Sequence, residues 1–386
     1  MNAHEVIQDA SQYLMHTYKR DLLLVSGQGC TVFDSDGNSY LDLVGGIACC
    51  TIGHSNPTLL TYFKSQDHKL LNPSNHYYTA EQALLAKKLC ALSGLGTCFF
   101  SNSGTEAVET AIKLARKHTG KKKIIAMEHA FHGRTLGSLS ATWKLEIKAP
   151  FEPLVPLFVH VPYGDIKALE KELDTNTAAV ILEPIQGEAG IVVPPPDYLK
   201  QVENLCKKHH ALLILDEIQT GNGRTGSFFC YQQEGLYPDI VTLAKGLANG
   251  IPIGVTLSKA GIDFKPFEHG STFGGNPFAC GAALVTLEAI EALLPGVKKK
   301  GVYLKKKLEA LHSPLIKGIR GKGLMLAIAL ACDAYKLKDA CQKKGVLVNA
   351  VHKQAVRLLP PLTITLKEID SAISKIALAL KEVPHD

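Results

Sequence analysis

The sequence has little of what marks several classes of protein. None of its 10 cysteines stands in a Cys-x-x-Cys pair, and no cysteines and histidines have the spacing of metal ligands. Several cysteines, such as Cys98, lie within apolar runs and are expected to pack as small buried hydrophobes. The sequence therefore argues against a zinc module or a disulfide scaffold, and it predicts no metal site.

Long apolar runs and a nucleic-acid signature are also missing. The net charge is +6, but the densest lysines, at 298–300 and 305–307, alternate with apolar residues as on the solvated face of a helix. The first residues show no basic segment followed by an apolar stretch, and apolar runs are interrupted before they reach membrane-spanning length. We therefore expect a cytoplasmic protein that binds neither nucleic acid nor a membrane.

What is present is a chain of 386 residues, 46% hydrophobic and 20% charged, which is typical of a globular enzyme with more than one core. After a short N-terminal helix, the Asp36-Gly37 turn predicts a β-hairpin. Short apolar runs then alternate with helical stretches, which predicts an α/β fold with a mostly parallel sheet. The predicted strands are 97–100, 123–127, 157–161, 178–182, 211–215, 239–243 and 253–257.

Beyond Asn276 a long helix is expected to run to about Leu294, with a joint at Pro295-Gly296. Further helices and strands at 324–330, 346–349 and 355–359 predict a smaller α+β unit. The expected division is residues 1–50 for the N-terminal part of the small domain, 51–277 for the large domain and 278–386 for the C-terminal part of the small domain.

Two charged residues follow buried strands of the predicted parallel sheet. Asp216 follows the run 211–215, and Lys245 follows the run 239–244. Side chains at the carboxyl ends of parallel strands converge on one crevice. An amine and a carboxylate there suit pyridoxal phosphate, which needs a lysine for a Schiff base and an anion near its pyridine nitrogen. Taken singly, Asp216 could equally be a helix cap and Lys245 a solvated side chain.

Other strand ends carry further polar motifs. The segment Ser103-Gly104-Thr105 opens a helix, where backbone amides can bind a phosphate, although Ser103 and Glu106 also fit a simple capping box. The segment 130–135 offers Phe131 to lie against a flat ring and Arg134 to bind a carboxylate; the alternative is a core Phe and a surface Arg.

Two charged residues and one loop complete the candidate site residues. Glu188 follows the strand 178–182 in a segment that could also be an ordinary solvated loop. Arg357 lies among apolar residues; if buried it needs an acidic partner, for which Glu188 is a candidate, and otherwise it lies on a wet strand face. The Gly-rich stretch 270–277, with Thr272, is expected to be a loop capped by Asn276 before a helix.

The segment Gly221–Gly226 matches a dinucleotide-binding fingerprint as a string, which leaves a nicotinamide oxidoreductase as an alternative function. The fingerprint requires strand, turn and helix in immediate succession, and here neither flank fits. A flexible loop bounding the active site suits the sequence better.

The order of these motifs, from Tyr18 to Arg357, resembles the class III pyridoxal-phosphate aminotransferases, and within them the acetylornithine aminotransferases. The resemblance implies the type I aminotransferase fold, with a seven-stranded sheet in a large domain, a small α+β domain from the two termini, and a homodimer with shared active sites.

The resemblance also implies a role for each candidate residue. Lys245 would form the Schiff base with pyridoxal 5'-phosphate, and Asp216 would pair with the pyridine nitrogen. The remaining cofactor contacts would come from Gln219 to the phenolic oxygen, Phe131 to the ring face, Ser103, Gly104 and Thr105 to the phosphate, and Thr272 from the partner subunit. Substrate carboxylates would be bound by Tyr18, Arg134 and Arg357, with Glu188 as the gate on Arg357.

The resemblance implies transamination of N-acetylornithine with 2-oxoglutarate, a step of arginine biosynthesis. The sequence departs from its relatives at Cys49-Cys50 and Ala248-Asn249, and at Ile47, near which ornithine aminotransferases carry a Tyr. Ile47 favours an acylated donor over free ornithine. The alternatives are succinylornithine, 4-aminobutyrate, ornithine or a carrier-bound aminoadipate derivative of lysine biosynthesis, and, in another class, a protein in which the cofactor serves only structure.

Overall fold

The computed structural model of the chain describes residues 2–384. Its strands are β1 Leu24–Gln28, β2 Thr31–Asp34, β3 Ser39–Asp42, β4 Thr97–Ser101, β5 Lys123–Met127, β6 Phe158–Val161, β7 Thr177–Leu182, β8 Leu212–Asp216, β9 Ile240–Leu243, β10 Gly254–Ser258, β11 Ile316–Lys322, β12 Met325–Leu330, β13 Val346–Leu347, β14 Asn349–His352 and β15 Ala355–Leu358.

The helices are α1 Ala3–Tyr13, α2 Gly45–Ala48, α3 Pro57–Lys64, α4 Ala80–Ser93, α5 Gly104–Thr119, α6 Leu136–Ala141, α7 Leu145–Lys148, α8 Ile166–Glu172, α9 Tyr198–His209, α10 Pro277–Glu309, α11 Ala334–Lys343 and α12 Leu366–Glu382. Element α2 is a single distorted turn, because Gly46 and Ile47 have positive φ angles. Short 3-10 turns at Ala149–Phe151, Cys230–Glu234 and Lys245–Ala248 complete the secondary structure.

The central sheet has seven strands in the order β4-β10-β9-β8-β7-β5-β6. Strand β10 runs antiparallel to both of its neighbours, and every other pairing in the sheet is parallel. Strands β7, β9 and β10 are buried along their whole length, because helices cover both faces of the sheet. The prediction of a mostly parallel α/β fold is confirmed, and the seven predicted strands agree with the structure to within one residue at each end.

Two smaller sheets flank this core. One has the order β1-β2-β3-β13, in which β13 near the C-terminus pairs in parallel with β3 of the N-terminal hairpin. The other has the order β11-β12-β15-β14 and is wholly antiparallel. The prediction that both ends of the chain build one smaller α+β part is therefore confirmed, while the residue bounds of the domains stay a prediction.

The prediction of a joint at Pro295-Gly296 is wrong, because α10 continues through Pro295 to Glu309. A proline inside a helix leaves the carbonyl four residues earlier without its amide partner. Residues Glu291 and Pro295 are both exposed, so water can satisfy that carbonyl. By length and composition α10 could also cross a membrane, but half of its most apolar window is buried within the fold. The helix packs against α3, α4 and α12, and this packing accounts for its apolar surface.

The core contains a buried carboxyl group directly after β8. Glu217 is fully buried and accepts hydrogen bonds from Thr220 Oγ1 at 2.6 Å and from the Tyr231 amide at 2.8 Å. Burial raises the pKa of Glu217 to about 7, although both hydrogen bonds act in the opposite direction. The folded protein thus binds this proton more tightly than the unfolded chain does.

This difference predicts a loss of stability as the pH rises. Below the unfolded pKa of about 4.5 the full contribution of Glu217 is present, and it is lost as the pH rises through the folded pKa of about 7. The stability of Glu217→Gln relative to the native protein should therefore be greater at pH 8 than at pH 5. In free energy of unfolding, this change between the two pH values should be about 2–3 kcal/mol, on the order expected for a pKa shift of this size. Urea unfolding of both proteins at the two pH values measures the difference. The exposed Glu146→Gln is the matched control, and equal pH slopes for native and Glu217→Gln proteins would contradict the assignment.

Candidate active site

A cavity of about 360 Å³ lies at the carboxyl ends of the central strands. It collects residues that follow β4, β5, β7, β8 and β9, as expected for side chains at one edge of a parallel sheet. Its lining comprises Cys49, Asn102, Ser103, Gly104, Thr105, Phe131, His132, Gly133, Arg134, Glu183, Glu188, Asp216, Ile218, Gln219, Ala244, Lys245 and residues 250–253. The structure thus brings together all of the predicted site residues except Tyr18, Thr272 and Arg357, and Arg357 contacts two of the lining residues.

Lys245 follows β9 in a tight turn with a φ angle of 45°. The next residue has to be glycine, because a Cβ at Gly246 would lie 1.9 Å from Thr51 Oγ1 and 3.0 Å from the Ala48 carbonyl oxygen. Burial lowers the pKa of Lys245, with Glu188 as the largest opposing influence. A lysine with a lowered pKa has a larger fraction of free amine, which is the nucleophilic form.

Asp216 at the end of β8 is buried and held by three donors. His132 Nδ1 lies 2.7 Å from Asp216 Oδ2, while Thr242 Oγ1 and the Ile218 amide each donate to Oδ1 at 3.1 Å. Asp216 thus occupies the Nδ1 atom of His132. The other ring nitrogen, Nε2, is buried and has no hydrogen-bond partner among the described residues. The sequence analysis did not select His132, since nothing local marks a histidine whose partner lies 84 residues away.

Glu183 is a second buried carboxyl group beside this pair. It accepts hydrogen bonds from the Phe131 amide at 3.1 Å and the Gly187 amide at 2.9 Å, and so ties two loops of the site together. Burial raises the pKa of Glu183 to about 7, an effect that His132 opposes and Asp216 reinforces. From its place just beyond the predicted strand 178–182, Glu183 could be expected to orient or neutralise other charges, or to lie in an ordinary solvated loop; the structure shows it buried between two backbone amides.

Arg357 on β15 is buried rather than on a wet strand face, and it points toward the cavity wall. Its Nη1 donates to Glu188 Oε1 at 2.6 Å and to Gln219 Oε1 at 3.0 Å, and its Nη2 donates to Asn349 Oδ1 at 2.7 Å. Burial acts to raise the pKa of Glu188, but Arg357 and then Lys245 outweigh it, and the pKa is lowered. Glu188 is therefore an ionised partner of Arg357, and Asn349 is a contact that the sequence did not reveal.

The N-terminus of α5 forms the opposite end of the cavity. Ser103 caps this 16-residue helix, and its hydroxyl accepts from the Glu106 amide. A Cβ at Gly104 would lie 2.9 Å from the Ile218 side chain, and one at Gly133 would lie 2.3 Å from Thr105 Oγ1. With glycine at both positions, the backbone can pack closely beside the positive N-terminal end of α5. This arrangement is suited to a bound phosphate.

Phe131 and Arg134 lie between these ends, and both line the cavity. Phe131 is half-buried, Arg134 is exposed, and the guanidinium carbon of Arg134 lies 5.7 Å from the centre of the Phe131 ring. Phe131 is therefore not a core residue, whereas Arg134 is the exposed arginine of the alternative interpretation, although it also lines the cavity.

Two predicted site residues lie outside the cavity of a single chain. Tyr18 is 75% exposed, and the guanidinium carbon of Arg20 lies 5.6 Å from the centre of its ring. Thr272 is exposed, and its carbonyl accepts from Asn72 Nδ2 at 3.3 Å. No three His, Cys, Asp or Glu side chains within residues 2–384 are grouped so that they could hold a metal ion.

The loop Gly221–Gly226 does not bound the cavity as expected, because none of its residues lines it. The loop is buried behind the Lys245 turn, where Asn222 Nδ2 donates to the Ala244 carbonyl at 3.0 Å. Arg224 is also buried and donates to the carbonyls of Leu324 and Pro360. The glycines serve packing here, and no helix follows them as dinucleotide binding would require.

Comparison with known proteins agrees with this geometry. Residues 14–380 match the family model described as aminotransferase class-III. The chain is 46% identical over 380 residues to an acetylornithine aminotransferase of Methanothermobacter thermautotrophicus, with 97% of each chain covered, and 47% identical over 373 residues to that of Mycolicibacterium smegmatis, with 95% of each covered. Among solved structures, the ornithine aminotransferase of Toxoplasma gondii superposes with a TM-score of 0.95 at 32% identity, covering 98% of this chain and 94% of the other. The acetylornithine aminotransferase of Elizabethkingia anophelis gives a TM-score of 0.88 at 34% identity, covering 99% and 100%.

The family match spans nearly the whole chain, and the full-length relatives are well above the identity at which family membership is secure. With an amine, a buried carboxylate and the N-terminal end of α5 converging on one cavity, the chain belongs to the class-III aminotransferases and is a pyridoxal-phosphate-dependent enzyme.

Proposed function

We propose that this enzyme transfers the terminal amino group of N-acetylornithine to 2-oxoglutarate, giving N-acetylglutamate 5-semialdehyde and glutamate, as a cytoplasmic step of arginine biosynthesis. Relatives named acetylornithine aminotransferase, 43–47% identical over most of the chain, support this choice of donor. The Glu188–Arg357 pair is the structural observation that carries the proposal, because it offers one site for two chemically different substrates.

The cavity has the donor set that the cofactor requires. Lys245 would hold the aldehyde carbon of pyridoxal phosphate, and Asp216 would face its pyridine nitrogen. The phenolic oxygen, the ring face and the phosphate would be held by Gln219, by Phe131, and by Ser103, Gly104 and Thr105. The helix end and the small residues at 104 and 133 fit the phosphate, and the carboxyl group of Asp216, fixed by its hydrogen bonds at the edge of the cavity, fits a protonated ring nitrogen.

When bound, the cofactor withdraws electrons from the amine-bearing carbon of the substrate and so makes its C–H bond more acidic. The amine of Lys245 would take the proton from that carbon as general base and, once protonated, would give it up on the cofactor side as general acid. Burial lowers its pKa, which increases the fraction of free amine available for this work at a given pH. His132 holds the Asp216 carboxylate in place during both halves of the reaction.

Arg357 and Glu188 adapt the site to each substrate in turn. While Glu188 neutralises Arg357, the cavity presents no free guanidinium at that end, and a donor can enter with its terminal amine. While the donor is bound, Arg134 and Tyr18 hold its α-carboxylate. When 2-oxoglutarate enters in its turn, a carboxylate of this acceptor replaces Glu188 on Arg357. Alternating pairing of this kind makes specificity depend on which charges are left unpaired.

The donor is tested by comparing turnover of N-acetylornithine, succinylornithine, ornithine and 4-aminobutyrate under identical conditions with 2-oxoglutarate. We expect kcat/KM for N-acetylornithine to exceed that for each of the others by about tenfold or more, the usual size of discrimination by a few side-chain contacts. Lys245→Ala should show no turnover, and the exposed Lys298→Ala, on α10, is its matched control. Faster turnover of 4-aminobutyrate than of N-acetylornithine refutes this choice of donor.

The substitution Glu188→Gln tests the alternating pair, since it removes the charge that neutralises Arg357. In single-turnover measurements the half-reaction with N-acetylornithine should slow about tenfold, while 2-oxoglutarate should bind as tightly as before or more tightly, because its carboxylate no longer competes with Glu188. Glu234→Gln, which alters a surface pair with Lys322, is the control. Equal losses in both half-reactions would show that Glu188 supports the fold rather than the exchange of substrates.

We also propose that two copies of the chain form a homodimer with shared active sites. Six large apolar or aromatic side chains of segments 70–78 and 267–273 are exposed, as is common where two proteins associate; they are Leu70, Leu71, Tyr77, Tyr78, Phe267 and Phe273. Asn75 Nδ2 donates to the carbonyls of Ser271 and Gly274 at 2.9 Å and holds the two segments in one strip. Thr272 lies within this strip, so a second copy docked there can bring Thr272 to the phosphate end of its partner's cavity.

Subunit mixing tests the shared site. Lys245→Ala and Thr272→Asp proteins should each be inactive, the second because a carboxylate repels the cofactor phosphate. After the two proteins are unfolded and refolded together, about half of the dimers are mixed, and each mixed dimer has one site with both native residues. Activity should therefore recover to about a quarter of the native value, as measured with N-acetylornithine. No recovery, together with a monomeric mass in solution, would rule out the shared site.

A further inference from the structure

Two uncharged amide groups hold the guanidinium of Arg357. Its Nη1 donates to Gln219 Oε1 at 3.0 Å, and its Nη2 donates to Asn349 Oδ1 at 2.7 Å. The third acceptor, Glu188, is a carboxylate that lies 2.6 Å from Nη1. The two amides supply hydrogen bonds that a buried cation needs in place of water, and they leave its positive charge uncancelled.

The sheet places Asn349 beside Arg357 through strand register. Asn349 is the first residue of β14 and lies opposite Arg357 on the antiparallel neighbour β15. Side chains opposite each other in such a pair project from the same face of the sheet. Asn349 is half-buried and Arg357 is only 1% exposed, so their contact lies largely out of water. The strand pairing thus holds an acceptor on Nη2 that does not depend on what occupies the cavity.

The N–H groups of Arg357 limit what an incoming carboxylate can use. A guanidinium group has two N–H groups on each terminal nitrogen and one on Nε. Glu188 and Gln219 take both on Nη1, and Asn349 takes one of those on Nη2. Once Glu188 has moved away, each terminal nitrogen has one N–H left while both amides stay in place. A carboxylate can bind two such donors at once, which is the strong form of this pair.

We propose that Asn349 is a positioning residue for the acceptor: it holds Arg357 as a neutral partner, so that the guanidinium charge stays available to a carboxylate of 2-oxoglutarate. This inference rests on the proposed function and deepens it. The Glu188 side chain is 35% exposed and lies in the loop after β7, so it can turn away toward water. A carboxylate at position 349 could not, because the pairing of β14 with β15 fixes it beside Arg357. The exchange of partners on Arg357 therefore needs one carboxylate that moves and amides that stay.

The substitution Asn349→Asp, which keeps the size of the side chain and adds a charge, tests the need for a neutral partner. In single-turnover measurements on the holoenzyme, the apparent Kd of 2-oxoglutarate should rise about tenfold or more, while the rate of the half-reaction with N-acetylornithine should change by less than about threefold. Gln354→Glu, the same change of amide to carboxylate at an exposed position just after β14, is the matched control. Equal losses in both half-reactions, or an unchanged Kd for 2-oxoglutarate, overturn the proposal.

A double variant that combines Glu188→Gln with Asn349→Asp separates charge from structural support. Glu188→Gln alone leaves Arg357 without its counterion, and the half-reaction with N-acetylornithine should be slow. In the double variant the new carboxylate on β14 neutralises Arg357, so this half-reaction should return to within about threefold of the native rate. A residue that only supports the fold would not restore a rate when it is changed. A double variant as slow as Glu188→Gln, or slower, therefore overturns the proposal.

Binding of glutarate, an unreactive dicarboxylate, separates this inference from the proposed donor. Calorimetry on the holoenzyme should give a Kd for glutarate about tenfold higher in Asn349→Asp than in the native protein or in Gln354→Glu. If this difference appears but N-acetylornithine is not a substrate, the proposed donor fails and the role of Asn349 stands. If N-acetylornithine reacts with 2-oxoglutarate but glutarate binding is the same in the native protein and in Asn349→Asp, the role of Asn349 fails and the proposed function stands.

Discussion

The structure depends on a balance of buried charges around one cavity. Lys245 and Arg357 bring two basic groups out of water, and Asp216 and Glu188 bring two carboxylates. Burying an unpaired charge costs several kcal/mol, so each of these groups needs a partner of fixed geometry. Arg357 donates hydrogen bonds to three acceptors, and the Asp216 carboxyl group is bound by three donors. Burial leaves Lys245 with a lowered pKa although Glu188 and Asp216 act to raise it, and a lowered pKa is what its chemistry needs.

A second constraint is the contact between the chain's N-terminal part and the lysine turn. Ile47, Ala48, Lys245 and Asn249 all have positive φ angles, which cost residues other than glycine about 1–3 kcal/mol each. The side chain of Asn249 offsets part of this cost, because it accepts a hydrogen bond from the Ile52 amide and donates one to the Gly53 carbonyl. Residues 48–53 thus pack against the turn 245–249, where Thr51 and Ala48 fill the space beside Gly246, and they help to set the surroundings of Lys245.

Sequence reasoning succeeded where local pattern and geometry are closely linked. The apolar runs predicted the seven strands because a strand covered on both faces has to be apolar throughout. Lys245 and Asp216 could be expected in one crevice because parallel strands end at one edge. The prediction of a joint at Pro295 was wrong, because the proline lies at an exposed position of α10 where the helix tolerates it. The prediction that Gly221–Gly226 bounds the active site was also wrong, because its glycines allow close packing behind the lysine turn. The role of His132 was not predicted, because its partner Asp216 is 84 residues away in sequence, and Asn349 was not predicted because nothing in its local pattern marks it as a partner of Arg357.

By itself, the sequence determined the fold class, the family and the identity of the candidate catalytic pair, because these follow from the order of strands and from residues at their ends. Only the tertiary structure decided which charges meet: that Arg357 is buried and paired with Glu188, that His132 holds Asp216, and that His54 pairs with Asp42. The physical reason is that hydrophobic periodicity is a local property of the chain, whereas a hydrogen bond between side chains depends on how separate elements are placed in space.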